Sequence, residues 1–362
     1  YIEPAEQTDE VNEQLAAITP GELNPEELTL IDPASGSGHI LVEAYELFKA
    51  IYLERGYRQR DIAQLILEKN LFGLDIDERA AQLTGFALMM KGRADDRWLF
   101  EKQVKLNVMA LVDSVGFDVE ALINGVKLAD YELEANDLTE LERLFEHATT
   151  FGSLIQVPEG LAGKLPGLKR LSEAVSQDLF VAEALEGLGV LVRQGEILAG
   201  EYDAVVANPP YMGPKAMNKM LKDFGKSLFP NAKTDLFGMF IERGIQLTIE
   251  GGRNALVTMQ GWMFLASFEE LRTHLLKTYM LESMAHLGAR AFNEISGEVV
   301  SVTAFVFRNT QASMFRPVFK RATAGSSTAK SEILQSQRER YDAFQQRDFL
   351  AIWLNEQLHP KL

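Results

Sequence analysis

The sequence predicts an α/β fold with a doubly wound, mostly parallel β-sheet. Short apolar runs that end at turn residues alternate with longer stretches of helical periodicity. Runs of this length are typical of strands buried on both faces, and their alternation with helices implies right-handed crossovers. The seven predicted strands are residues 28–32, 71–77, 104–109, 203–207 and 254–259, followed by the closely spaced runs MLESMAHLG and SVTAFVF. We expect these last two strands to form an antiparallel pair at the edge of the sheet.

Helices are predicted between the strands. The first spans about residues 39–55, where apolar side chains recur at helical spacing before a stop at Gly56. Residues 61–70 and 78–91 have a similar pattern. Residues 110–198 differ, because they are acidic, rich in Leu, Glu and Ala, and interrupted by prolines and glycines. We interpret this stretch as a helical insertion between the third and fourth strands.

Composition restricts the classes of function. The 362 residues carry 36 basic and 52 acidic side chains, a net charge of 36 − 52 = −16, so the chain as a whole repels nucleic acid and membranes. It contains no cysteine, which excludes disulfides, thiolate zinc sites and a cysteine nucleophile and is compatible with a cytoplasmic location. No apolar run reaches membrane-spanning length. Because the sequence starts at Tyr1 without methionine, we expect a segment of a longer protein.

A glycine-rich turn follows the first strand. In the stretch IDPASGSGHILVEAYELF, Gly36 and Gly38 allow close approach of a ligand, and the following helix points its N–H groups at the turn. A dinucleotide fingerprint would need a third glycine where Leu41 stands. Asp32 instead suits a cationic amino group, and Asp75 after the second strand suits ribose hydroxyls. A nucleoside with an amino-acid tail therefore fits best; the alternative is a tight turn with a solvated aspartate.

The fourth predicted strand ends abruptly at Asn208-Pro209-Pro210-Tyr211. Proline has no N–H and ends a hydrogen-bonding ladder, whereas its carbonyl remains an acceptor. The Asn208 amide oxygen adds a second acceptor and Tyr211 adds a flat face, which together suit a planar ring with an exocyclic amino group. Gripping the amino hydrogens frees the nitrogen lone pair for direct attack on an electrophilic methyl group. Methylation of cytosine C5 normally needs a thiolate, so the lack of cysteine argues against it. The alternative interpretation is an ordinary turn after a strand.

With both motifs present, the chain resembles amino-methyltransferases that use S-adenosylmethionine, over most of residues 28–308. IDPASGSGHILVEAYELF, NLFGLDIDERAAQLTGFALMMK and VANPPYMG resemble PglX-type adenine DNA methyltransferases of bacteriophage-exclusion (BREX) systems, and type IIG restriction–modification enzymes share the pattern. The resemblance implies a Rossmann-like, three-layer α/β/α methyltransferase domain. It further implies a cofactor-binding half at 28–109, a catalytic half at 199–310, an N-terminal segment at 1–27, and a polar tail at 311–362 that leads to a missing C-terminal region.

The resemblance also assigns roles to individual residues. The cofactor S-adenosylmethionine would contact Asp32, Ala34, Ser35, Gly36, Gly38, Asp75, Ile76 and Asn107, with Asn107 ending the third strand. Asn208, Pro209, Pro210 and Tyr211 would hold the target adenine, and Phe292 would supply a second aromatic face; a core position between two strands is its alternative. The family commonly has a Phe-Thr-Pro element before the glycine turn, which is absent before Leu28, and a separate target-recognition domain, which we expect beyond Leu362.

DNA binding by an acidic chain requires a local basic surface. Four lysines that follow the proline motif recur every three or four residues, which predicts one helix face: Lys215, Lys219, Lys222 and Lys226, here called the lysine row. We expect this row to lie along DNA phosphates beside the extruded base; a solvated helix face is the alternative. No metal site is predicted.

These observations predict an adenine-N6 DNA methyltransferase domain in a phage-defence or restriction–modification system. The expected partners are double-stranded DNA with a flipped adenine and other defence proteins, with no membrane. Cytosine-N4 methylation stays open, because the same grip suits that amine. The alternatives are a protein glutamine-N5 methyltransferase, a non-catalytic S-adenosylmethionine-binding module, and a nicotinamide enzyme, which Leu41 disfavours.

Overall fold

A computed structural model describes residues 2–289, 291, 300–346 and 348. The chain divides into two compact units, one formed by Tyr1–Ile31 with Tyr202–Leu362 and the other by Asp32–Glu201. Within the described residues none of the helices is both long enough and apolar enough to span a membrane.

The described residues form nine β-strands rather than the predicted seven. In chain order these are β1 (Leu30–Asp32), β2 (Leu71–Asp75), β3 (Asn107–Ala110), β4 (Tyr202–Ala207), β5 (Thr248–Met259), β6 (Met280–Gly288), β7 (Val302–Arg308), β8 (Val318–Arg321) and β9 (Arg340–Tyr341). The first seven coincide with the predicted apolar runs, whereas β8 and β9 do not correspond to a predicted run.

The helices fall largely where periodicity predicts them. They are α1 (Asp9–Ala17), α2 (His39–Glu54), α3 (Gln59–Leu65), α4 (Glu78–Asp95), α5 (Val119–Gly125), α6 (Ala135–Leu144), α7 (Ala148–Phe151), α8 (Glu159–Ala162), α9 (Leu165–Ser172), α10 (Leu179–Ala199), α11 (Lys219–Leu228), α12 (Leu236–Gln246), α13 (Gly261–Phe264), α14 (Glu269–Thr278) and α15 (Ser327–Gln335). A π-helical turn, Ile66–Asn70, extends α3, and 3-10 turns occur at Leu99–Glu101, Leu128–Tyr131, Gly152–Leu154 and Ala266–Phe268.

In the unit Asp32–Glu201, β2 and β3 pair in parallel, with Asp75 opposite Ala110 at their carboxyl ends. Helices α2 and α4 pack on these strands. The approach of α2 is close, since a Cβ added to Gly73 of β2 would lie 2.8 Å from Cδ1 of Leu41. Helices α5 to α10 occupy the predicted insertion, and α10 buries most of its apolar side chains against the others.

The unit formed by Tyr1–Ile31 and Tyr202–Leu362 contains strands in the order β1-β4-β5-β7-β6-β8-β9. The pairings β1–β4, β4–β5 and β6–β8 are parallel, whereas β5–β7, β6–β7 and β8–β9 are antiparallel. The predicted antiparallel pairing of the sixth and seventh strands is confirmed. Its predicted position at the sheet edge is wrong, because β5 flanks β7 on one side and β8 flanks β6 on the other.

Candidate functional site

The glycine turn, residues 32–38, contains two positions whose backbone conformation only glycine accommodates easily. Gly36 and Gly38 have φ values of +53° and +81°, in the left-handed region that disfavours residues with a Cβ. At Gly38, which caps α2, an added Cβ would also lie 2.7 Å from the methyl carbon of Thr84. The Thr84 hydroxyl donates to the carbonyl of Gly36 over 2.8 Å. This threonine of α4, which sequence reasoning missed, therefore fixes the turn from behind.

Asp75 connects the glycine turn to the end of β2. One carboxylate oxygen accepts from the N–H of Gly36 at 2.8 Å, and the other accepts from the N–H of Asp77 at 2.9 Å. The N–H of Ser35 donates to the carbonyl of Leu74 at 2.9 Å. Each Asp75 oxygen can accept a further hydrogen bond, so this carboxylate is oriented and still able to bind hydroxyl groups.

Asp32 is almost completely buried, with 1% of its surface exposed. Burial raises the pKa of its carboxyl group to about 7, and the negative charge of Asp75 adds to this effect, while a hydrogen bond from the N–H of Ala34 opposes it. The Ser35 hydroxyl is also buried and has no hydrogen-bond partner among the described residues. A buried carboxylate and an unsatisfied hydroxyl in one turn are suited to a polar ligand that carries a positive charge.

The loop after β2 presents Ile76 to solvent with 54% of its surface exposed. Asn107, which the resemblance places near the same ligand, is at the other end of its strand. It begins β3 opposite Phe72, and its Nδ2 donates to the carbonyl of Glu68 at 2.8 Å. The prediction that Asn107 ends the third strand is therefore wrong. The predicted run starts three residues before β3, which shifted the expected strand end.

Asp113 is a residue that follows the carboxyl end of β3 and that sequence reasoning missed. The loop that contains it is joined to β2, because the N–H of Leu111 donates to the carbonyl of Asp75 at 2.8 Å. The Asp113 carboxylate accepts from the N–H and the hydroxyl of Thr149, at 2.8 and 3.0 Å. A carboxylate three residues after an apolar strand end was the available sequence signal.

In the other unit, β4 ends at Ala207 and the proline motif follows directly, as predicted. Asn208 and Pro210 are exposed, whereas Pro209 is buried. The Tyr211 hydroxyl donates to Oδ1 of Asn208 at 3.0 Å and lies 3.5 Å from the carbonyl oxygen of Val257 in β5. The motif therefore forms a compact unit in which the phenol orients the carboxamide.

The Tyr211 ring is supported from one side by an aromatic cluster. It meets Phe237 edge to face, with ring centroids 6.1 Å apart, and Phe237 packs on Phe268 at 5.4 Å. Burial raises the pKa of Tyr211 to about 12, so the phenol is a neutral hydrogen-bond donor near neutral pH. A ring fixed at its edge can stack a second planar ring on its face.

Asp235 fixes the chain immediately after the motif, and sequence reasoning missed it. Its Oδ1 accepts from the N–H of Met212 at 3.0 Å and from that of Phe237 at 3.3 Å, where it caps α12. The N–H of Leu236 returns a bond to the carbonyl of Met212 at 3.1 Å. Burial raises the pKa of this half-buried carboxyl group. An N-cap aspartate before an apolar run was visible in the sequence, but its bond to Met212 is long-range.

The lysine row is only partly helical. Lys219, Lys222 and Lys226 lie on α11, whereas Lys215 lies in the turn before it, so the prediction that all four share one helix face is wrong. Asn218 caps this helix through its side chain and so fixes the helix start after Lys215. Lys226 pairs with Asp223 at 3.3 Å on the surface. Phe292 lies outside the described residues.

Comparison with known proteins identifies the family. The model of the Eco57I restriction-modification methylase family matches residues 69–292, more than half of the 362 residues. The chain belongs to this family. The match begins before β2 and extends through the proline motif, the lysine row and β6. It includes Asp75, Ile76 and Asn107 but begins after the glycine turn.

Two curated relatives are similar over most of the chain. The adenine-specific methyltransferase BrxX of Escherichia coli O9:H4 (strain HS) is 48% identical over 375 residues, which cover 97% of this chain and 31% of that protein. The adenine-specific methyltransferase PglX of Lacticaseibacillus casei (strain Zhang) is 39% identical over 312 residues, which cover 85% of this chain and 26% of that protein. The chain thus spans about a third or less of the length of these relatives. The predicted resemblance to PglX-type methyltransferases is confirmed.

A solved structure supports the fold. The ATP-dependent Type ISP restriction-modification enzyme LlaBIII bound to DNA is similar with a TM-score of 0.52 and 12% identity, over 89% of this chain and 20% of that chain. At this identity the similarity shows the fold alone. Together with the family match it confirms the predicted α/β methyltransferase fold, with the strand number corrected to nine.

Proposed function

We propose that this chain is the methyltransferase domain of an adenine-N6 DNA methyltransferase that acts in phage defence. The observation that carries the proposal is the Asn208–Tyr211 hydrogen bond just after the end of β4. The Tyr211 ring is also held by its edge-to-face contact with Phe237. This arrangement presents a carboxamide oxygen and a ring face to a planar amine. The names of BrxX and PglX, adenine-specific methyltransferases, support adenine as the target.

The residues of the glycine turn fit S-adenosylmethionine. The buried carboxylate of Asp32 would pair with the ammonium group, the unsatisfied Ser35 hydroxyl would bond the amino-acid end, and Asp75 would accept from ribose hydroxyls. Exposed Ile76 would pack against the adenine ring. When bound, this cofactor supplies an electrophilic methyl group on a sulfonium.

The chain's own residues would activate the amine. Oδ1 of Asn208 has one lone pair engaged by Tyr211, and a second remains to accept an amino hydrogen of the base. The carbonyl of Pro209 would accept the other amino hydrogen. Both bonds favour a pyramidal nitrogen. Its lone pair is then no longer delocalised into the ring, so the nitrogen becomes nucleophilic. The nitrogen would take the methyl group as the bond of that group to sulfur breaks, with sulfur keeping the electron pair. The nitrogen would then release its extra proton to water.

DNA would reach this site by extrusion of one base, which costs a few kcal/mol and is offset by stacking on Tyr211. Lys219, Lys222 and Lys226 would neutralise nearby phosphates. We propose a cytoplasmic location, where DNA is available, and association with other defence proteins.

The proposal is tested with the full-length protein, duplex DNA that contains its recognition sequence, and tritiated S-adenosylmethionine. The expected result is label in N6-methyladenine after nucleoside digestion, with a rise in melting temperature on adding S-adenosylmethionine but not NAD. Label in N4-methylcytosine or in protein glutamine would contradict the adenine assignment. Cofactor binding without label in any acceptor would indicate a non-catalytic module instead.

A further inference from the structure

We propose that the helical insertion is part of the cofactor site, with Ser153 as a positioning residue for the glycine turn and Gly152 as the wall beside Ile76. This inference rests on the proposed function, because it takes the adenosyl end of S-adenosylmethionine as the ligand near Ile76. The relevant part of the insertion is the 148–154 segment, which comprises α7 and the 3-10 turn Gly152–Leu154.

Ser153 is connected directly to the glycine turn. Its side chain is buried, with 2% of the residue exposed, and its hydroxyl donates to the carbonyl of Pro33 at 2.5 Å. Pro33 lies between the buried Asp32 and Ala34, and the N–H of Ala34 donates to the Asp32 carboxylate. A hydrogen bond over 120 positions in sequence therefore restrains the part of the turn that carries the predicted ammonium partner.

Gly152 packs closely against Ile76. Its φ and ψ values of +57° and −145° lie in a region that residues other than glycine rarely adopt. A Cβ added to Gly152 would lie 3.1 Å from Cγ2 of Ile76. The bare main chain of Gly152 thus runs along the side chain that is predicted to contact the cofactor adenine. Any side chain at this position would press against Ile76 and displace it.

The 148–154 segment is held in place by the loop after β3. Thr149 donates two hydrogen bonds to Asp113, and the N–H of Ser114 donates to the carbonyl of Phe145 at 2.9 Å. Gln194 of α10 bonds both the N–H and the carbonyl of Val112, at 2.5 and 3.2 Å. The segment is therefore bonded to both the loop after β3 and the glycine turn. A shift of the segment would displace the groups of both.

The test measures S-adenosylmethionine binding to the full-length protein by isothermal titration calorimetry. Ser153→Ala is expected to weaken binding roughly tenfold, because it releases the Pro33 carbonyl, and Thr149→Val is expected to weaken it about threefold. Ser172→Ala, which removes an exposed hydroxyl bonded to Lys169 within the same insertion, serves as the matched control and should leave the Kd unchanged.

A positioning role also predicts a specific kinetic pattern. In Ser153→Ala the KM for S-adenosylmethionine should rise, while the KM for DNA and kcat at saturating cofactor should stay within about twofold of wild type. Wild-type Kd and KM in both Ser153→Ala and Thr149→Val would overturn the inference. A wild-type protein that binds no S-adenosylmethionine would instead overturn the proposed function, so the two failures are distinct.

Discussion

The Tyr211 hydroxyl donates a hydrogen bond to Oδ1 of Asn208 over 3.0 Å. The phenol therefore sets the direction of the carboxamide that, in the proposed function, receives the target amine. Since burial raises the pKa of Tyr211 to about 12, the proton needed for this bond is present throughout the neutral range. The two polar groups of the motif therefore act as one unit.

The first prediction separates the two roles of Tyr211. Tyr211→Phe keeps the ring but loses the bond to Asn208, so kcat should fall roughly three- to tenfold, the magnitude of one hydrogen bond. Base extrusion, measured by 2-aminopurine fluorescence at the target position, should stay near wild type. Tyr211→Ala should reduce both. Tyr341→Phe, which removes a surface hydroxyl bonded to Glu339, is the control; equal kcat in Tyr211→Phe and this control would contradict the orienting role.

The second prediction concerns Asp235, which holds Met212 behind the motif. Asp235→Ala loses this acceptor and the cap of α12, so we expect a loss of about 1 kcal/mol in unfolding free energy and a fall in kcat of roughly tenfold. Asp235→Asn keeps an oxygen that can accept from Met212. It should therefore recover kcat to within about threefold of wild type, measured on duplex DNA.

The pattern of rescue is decisive for Asp235. If Asp235→Asn were as impaired as Asp235→Ala, the negative charge rather than the hydrogen bond would matter, and the positioning account would be wrong.

The third prediction follows from the buried Asp32, whose pKa is raised from 3.8 to about 7 by burial. Between pH 3.8 and about pH 7 the Asp32 carboxyl group is deprotonated in the unfolded chain but keeps its proton in the folded protein. The unfolding free energy of the cofactor-free protein therefore falls as the pH rises through this range, and it levels off above pH 7. Asp32→Asn removes this effect. It should be more stable than wild type by roughly 1–3 kcal/mol at pH 8 and similar near pH 4.

The same variant should lose its response to cofactor. A neutral amide cannot pair with an ammonium group, so S-adenosylmethionine should raise the melting temperature of wild type but not of Asp32→Asn. Thermal melts from pH 4 to pH 8, with and without cofactor, check both effects. If Asp32→Asn were less stable than wild type at pH 8, burial of the charged Asp32 carboxylate would not destabilise the folded protein, and the prediction would be wrong.

The fourth prediction addresses the three lysines on α11. Replacing Lys219, Lys222 and Lys226 with glutamine should weaken DNA binding and reduce the slope of log K against log salt by up to about 3, since each phosphate contact contributes about 0.9. The control replaces three insertion lysines that pair with carboxylates, Lys127, Lys164 and Lys169. An equal slope in both triple variants would assign α11 to an ordinary solvated face.

The sequence was sufficient for the elements that depend on local pattern. The seven apolar runs, the glycine turn before α2 and the interruption at Asn208 all follow from residue type and spacing, and the structure places them as predicted. The short strands β8 and β9 were missed because they are formed by pairing with β6 and with each other rather than by an apolar run of their own. Lys320 in β8 is buried although it is charged. A charged residue interrupts the apolar pattern by which a buried strand is recognised in the sequence.

Long-range contacts explain the remaining differences at the site. Thr84 behind Gly36, Asp235 behind Met212 and Ser153 on Pro33 each join residues far apart in sequence, so no local spacing reveals them. Asn107 was misplaced because the apolar run VKLNVM begins before the hydrogen-bonded strand does. Local chemistry thus indicated candidate ligand-binding groups, which stay predictions, whereas the residues that hold those groups in place could be found only from the fold.

The central claim, that Asn208 receives the amino group of the target adenine, is tested most directly by base-resolved sequencing of genomic DNA. The cells should carry the full-length protein in its native defence system, either intact or as Asn208→Ala, with equal protein levels verified. The account predicts N6-methyladenine at one recurrent sequence with the intact protein and its loss in the variant. Modified adenines that persist at that sequence in Asn208→Ala would contradict it.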